Sequence, residues 1–537
     1  MNSGHLSERT WAAGERFDSA ALPLDLIEAM RRARRRYGAA TCALEDSDGA
    51  RLSYDRLLDN AYTLGARLAA ITAPGEAVGV MLPTGIAAIV AFFALHTARC
   101  TPAMLNFMAG AGAVRAACTL ARIKLVLTSR RFLKEADLDG LAAELSSSCS
   151  IVALEDLRET LSWSERLIGF LLSRTPLRIE TAARRNEPAA ILFTSGTTGA
   201  PKAVALSHAN LLANVEQCRL HGEFEPDWIF FNTLPVFHAF GLTAGTLLPL
   251  FIGLKTVLYP SPLHHEKIPK LVRETGASVL ISTDTFALGY ARAARAGELQ
   301  GLKYAVLGGE RVREETRAAY ARFGATVLEG YGATECAPVV AVNRPRANRP
   351  GTVGTLLPGM EARLEPVAGL SKGGRLCLRG PNVMLGYLSA SGDITAPPEG
   401  WFDTGDLATL SGDGFLTIVG RLKRFARIGA ELVSLEAVEA HARALWPGAR
   451  HAALVTRAAR GGEEIVLITD QPDASPEAMR AWVKAHGLRA LEAPRRVLAT
   501  VTMPSLAMGK IDYEAARSLA EGQTAPAPPH ANGVSGA

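Results

Sequence analysis

Two textures alternate along the chain. Short apolar, β-branched runs at Ala77–Met81, Lys124–Thr128, Ala189–Thr194, Ser278–Ser282 and Tyr304–Leu307 read as strands. Between them, Tyr54–Ile71 and Ile86–Thr97 carry apolar residues at helical spacing. Strands interleaved with helices predict an α/β fold with layered sheets. From Gly351 to Gly386 the texture turns to Gly, Pro and short alternating strands (Ala362–Pro366, Arg375–Arg379), which predicts a small β-rich unit. After Gly420 come a basic turn, a helix over Leu435–Leu445, strands, and a helix over Pro476–His486. This final portion reads as a small α+β lid. No internal repeat is visible.

Composition narrows the class. A chain of 537 residues, 48% hydrophobic and 21% charged, has ordinary globular usage and length for several cores, which excludes a disordered or fibrous protein. A net charge of +5 is too small to argue for nucleic acid, and no nucleic-acid partner is expected. The seven cysteines are scattered with no C-x-x-C pair, so neither a disulfide framework nor a zinc ribbon is supported. Met1 to Ala20 is polar and contains Glu8 and Glu15, unlike a signal peptide. The apolar runs Ile86–Leu95 and Phe240–Tyr259 are too short or too interrupted to cross a bilayer. A reduced, cytoplasmic enzyme is the expectation.

Two basic features have two readings each. Arg31–Arg36 is either a solvated helix end, with cations near its negative pole, or a patch for an acidic partner. Trp163–Arg178 sets Leu167, Ile168, Phe170, Leu171 and Leu172 between arginines. It is either a helix packed on the core or one lying on a membrane surface, peripheral to the inner membrane.

The chemistry concentrates in Ile191–Val204. An apolar strand runs into Thr194, Ser195, Gly196, Thr197, Thr198 and Gly199, followed by Lys202. Glycines let backbone N–H groups approach an anion, hydroxyls donate to phosphate oxygens, and lysine adds a point charge. The G-x-x-x-x-G-K-[ST] spacing of a Walker loop is not met. The following A-V-A-L-S is strand-like, and Ser207 is placed to cap a helix over His208–Glu216. A strand–loop–strand cannot use a helix dipole, so its hydroxyls must do more of the phosphate holding.

Further on, Gly330–Tyr331–Gly332–Ala333–Thr334–Glu335 offers an aromatic ring for a base, with Thr334 and Glu335 able to reach phosphate and Mg²⁺. Asp406, in W-F-D-T-G-D, is suited to accept bonds from ribose hydroxyls, or is a turn former. Gly420–Arg421–Leu422–Lys423 makes a cationic turn, and Lys510 stands on a short Gly-hinged loop.

In combination, T-S-G-T-T-G-A-P-K, Y-G-A-T-E, W-F-D-T-G-D, G-R-L-K and the final G-K resemble the adenylate-forming superfamily in order and spacing, from about Leu24 to Arg517. E-G-Y-G-A-T-E-C-A-P-V-V, P-G-T-V-G-T-L-L-P-G-M and G-R-L-K-R-F-A-R-I look most like the synthetase half of bifunctional 2-acylglycerophosphoethanolamine acyltransferase/acyl-acyl carrier protein synthetases. The H-x-x-x-x-D signature of the acyltransferase half is absent.

The resemblance implies an extension over residues 1–23, a large AMP-binding domain over 24–421, a mobile lid over 422–517 and a disordered tail over 518–537. It implies ATP and Mg²⁺ as cofactors. Thr194 to Lys202 would hold the phosphates, Glu335 the metal and Asp406 the ribose. Tyr331, with Gly309 and Glu310 nearby, would face the adenine. Arg421 would contact the nucleotide, Lys423 would be the hinge, and Lys510 would bridge carboxylate and α-phosphate. His238 would gate the acyl pocket or be a structural histidine.

The implied reaction is ligation of a medium- or long-chain fatty acid to acyl carrier protein or CoA. Alternatives are a fatty acyl-AMP ligase for a dedicated carrier protein, or an inactive acyl-adenylate-binding regulator. Two positions depart from the family pattern. Ala203 stands after Lys202 and Ala430 stands in the hinge turn, each where glycine is expected. Ala203 is expected to crowd or restrict the phosphate loop, and Ala430 to slow thioester formation or give it a different acceptor.

Overall fold

The computed structural model describes residues 10–13, 17–175, 182–195, 201–370, 372–429, 431–458, 462–505 and 511–522. Among these, the strands form three large sheets and two small ones. The layered α/β expectation holds. One sheet has a parallel centre running through Cys42–Asp46, Lys255–Leu258, Ile229–Asn232, Val279–Ser282, Tyr304–Leu307 and Thr326–Gly332. A second carries Ser150–Ala153, Leu125–Thr128, Ala77–Val80, Thr101–Met104 and Pro188–Ser195 in parallel. Helix Ile86–Thr97 packs against strands of both. Its buried residues lie on every side, and such a helix has to be enclosed.

The β-rich unit is an antiparallel sheet of Glu361–Glu365, Gly374–Arg379, Phe402–Leu410 and Leu416–Arg421. Thr10–Ala12, within the expected N-terminal extension, pairs with Glu361–Arg363 and completes this sheet. Beyond Arg421 lie a two-stranded ribbon and a three-stranded sheet with helices Leu435–Leu445, Pro476–Ala485 and Tyr513–Ala520. The last helix runs past Arg517, where a disordered tail was expected to begin. Ala520 is buried, and its carbonyl accepts from Arg496 at 2.8 Å. The rest of that tail, from residue 523, lies outside the described residues.

All seven cysteines are free. Among the described residues, no helix is long and apolar enough to cross a membrane.

Candidate active site

The strand–loop–strand reading holds. Pro188–Ser195 and Pro201–Ser207 form an antiparallel hairpin that pairs Thr194 with Lys202 and Ser195 with Pro201. Gly196, Thr197, Thr198 and Gly199 lie outside the described residues. Ala203, expected to crowd the loop, is fully buried in the hydrophobic cluster beneath the second strand, so its methyl has a place in the core.

That strand pairs on its outer edge with Gly386–Leu388, setting Tyr387 opposite Val204 and diagonal to Lys202. The Lys202 ammonium stands 4.6 Å from the Tyr387 ring centroid, within cation–π range. The Tyr387 hydroxyl donates to Glu335 Oε1 at 2.7 Å. Burial, then the bond to this carboxylate, pushes the Tyr387 phenol far above its usual range, so it remains a donor. Thus one tyrosine touches both the candidate phosphate-holding lysine and the candidate metal ligand. Nothing in the periodicity marked it. Its signal was the register of a strand distant in sequence.

Tyr331 is the penultimate residue of the strand Thr326–Gly332, and its hydroxyl donates to Asp406 Oδ2 at 2.5 Å. Asp406 faces Arg421 across an antiparallel pair, with Arg421 Nε 3.3 Å from Oδ1. Burial raises the Asp406 carboxyl, while the Tyr331 hydroxyl and the Arg421 charge pull it back. Arg421 keeps 76% of its side chain exposed. The predicted base, ribose and nucleotide residues therefore form one connected group. Glu310 behaves differently. Expected near the adenine, it turns to Thr285 and accepts from its N–H at 3.2 Å and its hydroxyl at 2.7 Å. Gly309 has φ +81°, a conformation that favours glycine.

A cavity of about 240 Å³ adjoins this group. Trp228, Phe230, Ala244, Val279, Ile281 and Val306 give it an apolar wall, and Gly308, Gly309, Tyr331 and Thr334 line it as well. His238 is exposed and also lines it. At Gly332 a Cβ would stand 2.3 Å from the Pro338 carbonyl, so only glycine lets the two segments approach.

A helix that sequence reasoning left short holds this motif in place. It runs over His208–His221 rather than ending at Glu216, and Ser207 caps it as expected. Asn210, Asn214 and Gln217 recur along one buried face. Asn210 Nδ2 donates to the Val383 carbonyl at 2.7 Å, and Gln217 Nε2 to the Pro358 carbonyl at 2.8 Å. Asn214 donates to the Val339 carbonyl at 2.7 Å and accepts from the Val339 N–H at 3.0 Å. The available signal was polar residues at i, i+4 and i+7 in an otherwise buried helix.

Lys423 is exposed in the single turn Leu422–Arg424. The next residue is tied to the C-terminal unit. Arg424 donates to Glu439 at 2.6 Å and to the Ala453 carbonyl at 2.9 Å, and lies 4.1 Å from the Tyr513 ring centroid. Ala430 and Lys510 lie outside the described residues.

A family model described as AMP-binding enzyme matches residues 30–388. A long-chain-fatty-acid–CoA ligase of Salmonella typhimurium is 30% identical over 357 residues, 62% of this chain and 61% of that protein. A feruloyl-CoA synthase of Amycolatopsis is 28% identical over 337 residues, 60% and 67% respectively. The alignment with the first relative thus spans about three fifths of its length.

Among solved structures, ATP-bound MatB from Rhodopseudomonas palustris matches with a TM-score of 0.76 at 25% identity, covering 92% of this chain and 98% of that one. A Mycobacterium tuberculosis fatty acyl CoA synthetase shares the fold at a TM-score of 0.70 and 19% identity, with 92% and 98% covered. This chain belongs to the AMP-binding enzyme family.

Proposed function

We propose that this protein activates a medium- or long-chain fatty acid with ATP, forming acyl-AMP and releasing pyrophosphate. It then passes the acyl group to the phosphopantetheine thiol of acyl carrier protein or CoA. One observation carries the reading: Tyr331 and Thr334 of the nucleotide group line the same cavity as the apolar wall of Trp228, Phe230, Val279 and Val306. An apolar cavity beside a nucleotide group suits an acid whose carboxylate is to be adenylated. The fatty-acid–CoA ligase relative supports the substrate class.

A carboxylate has no good leaving group. Attack by its oxygen on the α-phosphorus forms a carboxyl–phosphate bond and breaks the bond to pyrophosphate. Bringing two anions together requires positive charge and hydrogen-bond donors. Lys202, with Thr194 and Ser195 to Gly199, would hold the phosphates, and Lys510 would bridge carboxylate and α-phosphate. Tyr331 would stand at the adenine, Asp406 would take the ribose hydroxyls, and Arg421 would contact the nucleotide. His238 would stand at the acyl entrance.

Glu335 would hold Mg²⁺. The donor set fits, because the Glu335 carboxylate and the candidate phosphate-holding Lys202 meet at Tyr387, and Mg²⁺ is usually bound by one or two carboxylates plus phosphate oxygens and water. When bound, the ion would neutralise phosphate charge. In the second step a thiol attacks the acyl carbonyl and AMP leaves. Rotation of the unit beyond Arg421 about Lys423 would withdraw Lys510 and admit the thiol. The attachment of Arg424 to Glu439 supports a boundary there. Fatty acids partition into bilayers, so peripheral membrane contact belongs to this reading.

The test is pyrophosphate release with ATP, Mg²⁺ and acids from acetate to palmitate, each alone, with CoA and with phosphopantetheinylated carrier protein. A maximum at one chain length with turnover on one thiol is expected. ATP binding without release for any acid would overturn the reading.

A further inference from the structure

The helix Trp163–Arg174 is oriented opposite to a core helix. Its buried residues are the small ones, Gly169 and Ser173, which face helix Tyr54–Ala69. Its large apolar residues face out, with Trp163 76%, Leu167 39%, Ile168 46%, Phe170 47% and Leu171 52% exposed. At 3.6 residues per turn, Gly169 and Ser173 mark one line along the helix, while Leu167 and Leu171 mark a line on the far side.

This orientation is held by specific contacts. A Cβ at Gly169 would stand 2.7 Å from the Thr63 backbone, so turning a larger residue to that position is sterically blocked. The Ser173 hydroxyl donates to Asp59 at 2.6 Å, and Arg174 pairs with the same carboxylate at 2.6 Å. Ser162 and Glu165 close a capping box at the other end. Five large apolar side chains held outward on one helix form a surface that water does not favour.

The flanks are cationic. Arg166 and Arg174 are exposed on the helix, and the Arg174 guanidinium lies 3.6 Å from the Phe170 ring centroid. At the C-terminal end, Arg31 donates to the Leu172 and Thr175 carbonyls, both at 2.8 Å. Arg31 belongs to helix Leu26–Tyr37, which also carries Arg34 and the exposed Arg35 and Arg36. Arg34 and Arg174 pair there with two carboxylates, Asp55 and Asp59.

We infer that this face is a docking surface for an anionic lipid bilayer. Trp163, Leu167 and Leu171 enter the interface, and the arginines meet lipid phosphates at the rim. An apolar stripe edged by cations, on a helix too short to span, is the arrangement of an interfacial anchor. The surface gives a place to the membrane contact in the reading above. It does not depend on the adenylation chemistry.

The experiment is co-sedimentation with phosphatidylcholine vesicles, with and without phosphatidylglycerol, comparing wild type with the double variant Leu167→Asp, Leu171→Asp. Wild type should partition onto the anionic vesicles about tenfold more strongly than the double variant, and less strongly as salt is raised. Pyrophosphate release measured without vesicles reports the adenylation reading separately and should be equal in both proteins. Equal sedimentation, or no binding of wild type to either vesicle, would overturn the inference. So would a wild-type dimer in sedimentation velocity that the double variant makes monomeric, since the occupant would then be a second copy. If the double variant does not fold, quenching of wild-type tryptophan by brominated lipid, reduced in Trp163→Phe, supports the surface. Unchanged quenching in Trp163→Phe overturns it.

Discussion

The Tyr387 hydroxyl donates to Glu335 Oε1 at 2.7 Å while its ring carries the Lys202 ammonium. Two charged groups from distant segments are thereby set at one aromatic side chain. Under the proposed function, Tyr387→Phe keeps the ring and removes the hydroxyl. Pyrophosphate release should require several-fold more Mg²⁺ for half-maximal rate, at little change in stability. Tyr387→Ala should cost a further order of magnitude, about 1.4 kcal/mol. An unchanged Mg²⁺ dependence in Tyr387→Phe would separate Tyr387 from the metal site.

Asp406 is held between the Tyr331 hydroxyl and the Arg421 guanidinium. Asp406→Asn removes the charge while keeping the shape, and Tyr331→Phe removes only the shared hydrogen bond. ATP affinity by calorimetry should fall at least about tenfold in the first, since ligand bonds to a charged group contribute about 1.5–3 kcal/mol. It should fall less in the second. Equal affinity in all three proteins would remove Asp406 from nucleotide binding.

Ala244 is among the residues that line the apolar wall of the cavity. Ala244→Trp fills part of that volume. The chain length giving maximal pyrophosphate release should shorten, with kcat/KM for the longest accepted acids falling more than for the shortest. A uniform loss across the panel would indicate that this wall does not contact the acyl chain.

Asn214 meets both polar groups of Val339 from inside a buried helix. Asn214→Ala leaves that N–H without its acceptor, while the carbonyl keeps the Asn382 amide at 3.1 Å. A loss of about 1–3 kcal/mol in urea unfolding is expected. Asn214→Asp, which keeps the acceptor and loses the donor, should also destabilise. A melting curve identical to wild type would show that water or another group replaces the amide.

His96 and His208 are buried, with ring centroids 4.9 Å apart. Burial, with the nearby Arg184 charge, holds His208 at about 3, and His96 is also pushed well below its usual range. The unfolded imidazole takes a proton near pH 6.5, whereas the folded one resists until far lower pH. Their contribution is therefore complete above about 6.5 and is lost as pH falls, at up to about 1.4 kcal/mol per pH unit for each histidine. Urea midpoints between pH 7.5 and 5 test this. His208→Asn should be less stable at pH 7 but show a shallower slope, and an unchanged slope would assign acid sensitivity to other groups.

Much of this molecule was legible in one dimension. Hydroxyl- and glycine-rich punctuation after an apolar strand marked the Pro188–Ser207 hairpin, because turn chemistry is local. Helix Leu435–Leu445 has the bounds its periodicity predicts. The order of the motifs named Tyr331, Asp406 and Arg421, which the fold brings into contact. Local pattern carries this information because hydrogen-bond period, capping and backbone freedom depend on near neighbours.

Tertiary structure decided the remainder. Tyr387 reaches Glu335 only because its strand pairs with one nearly two hundred residues earlier, and no local pattern specifies such a register. Thr10–Ala12 joins a sheet only where Glu361–Arg363 offers an open edge. Trp163–Arg174 has the composition of a core helix, yet Gly169 packs against Thr63 and turns the large residues outward. Periodicity identifies an apolar stripe, but which side of the helix is covered depends on the surface it meets.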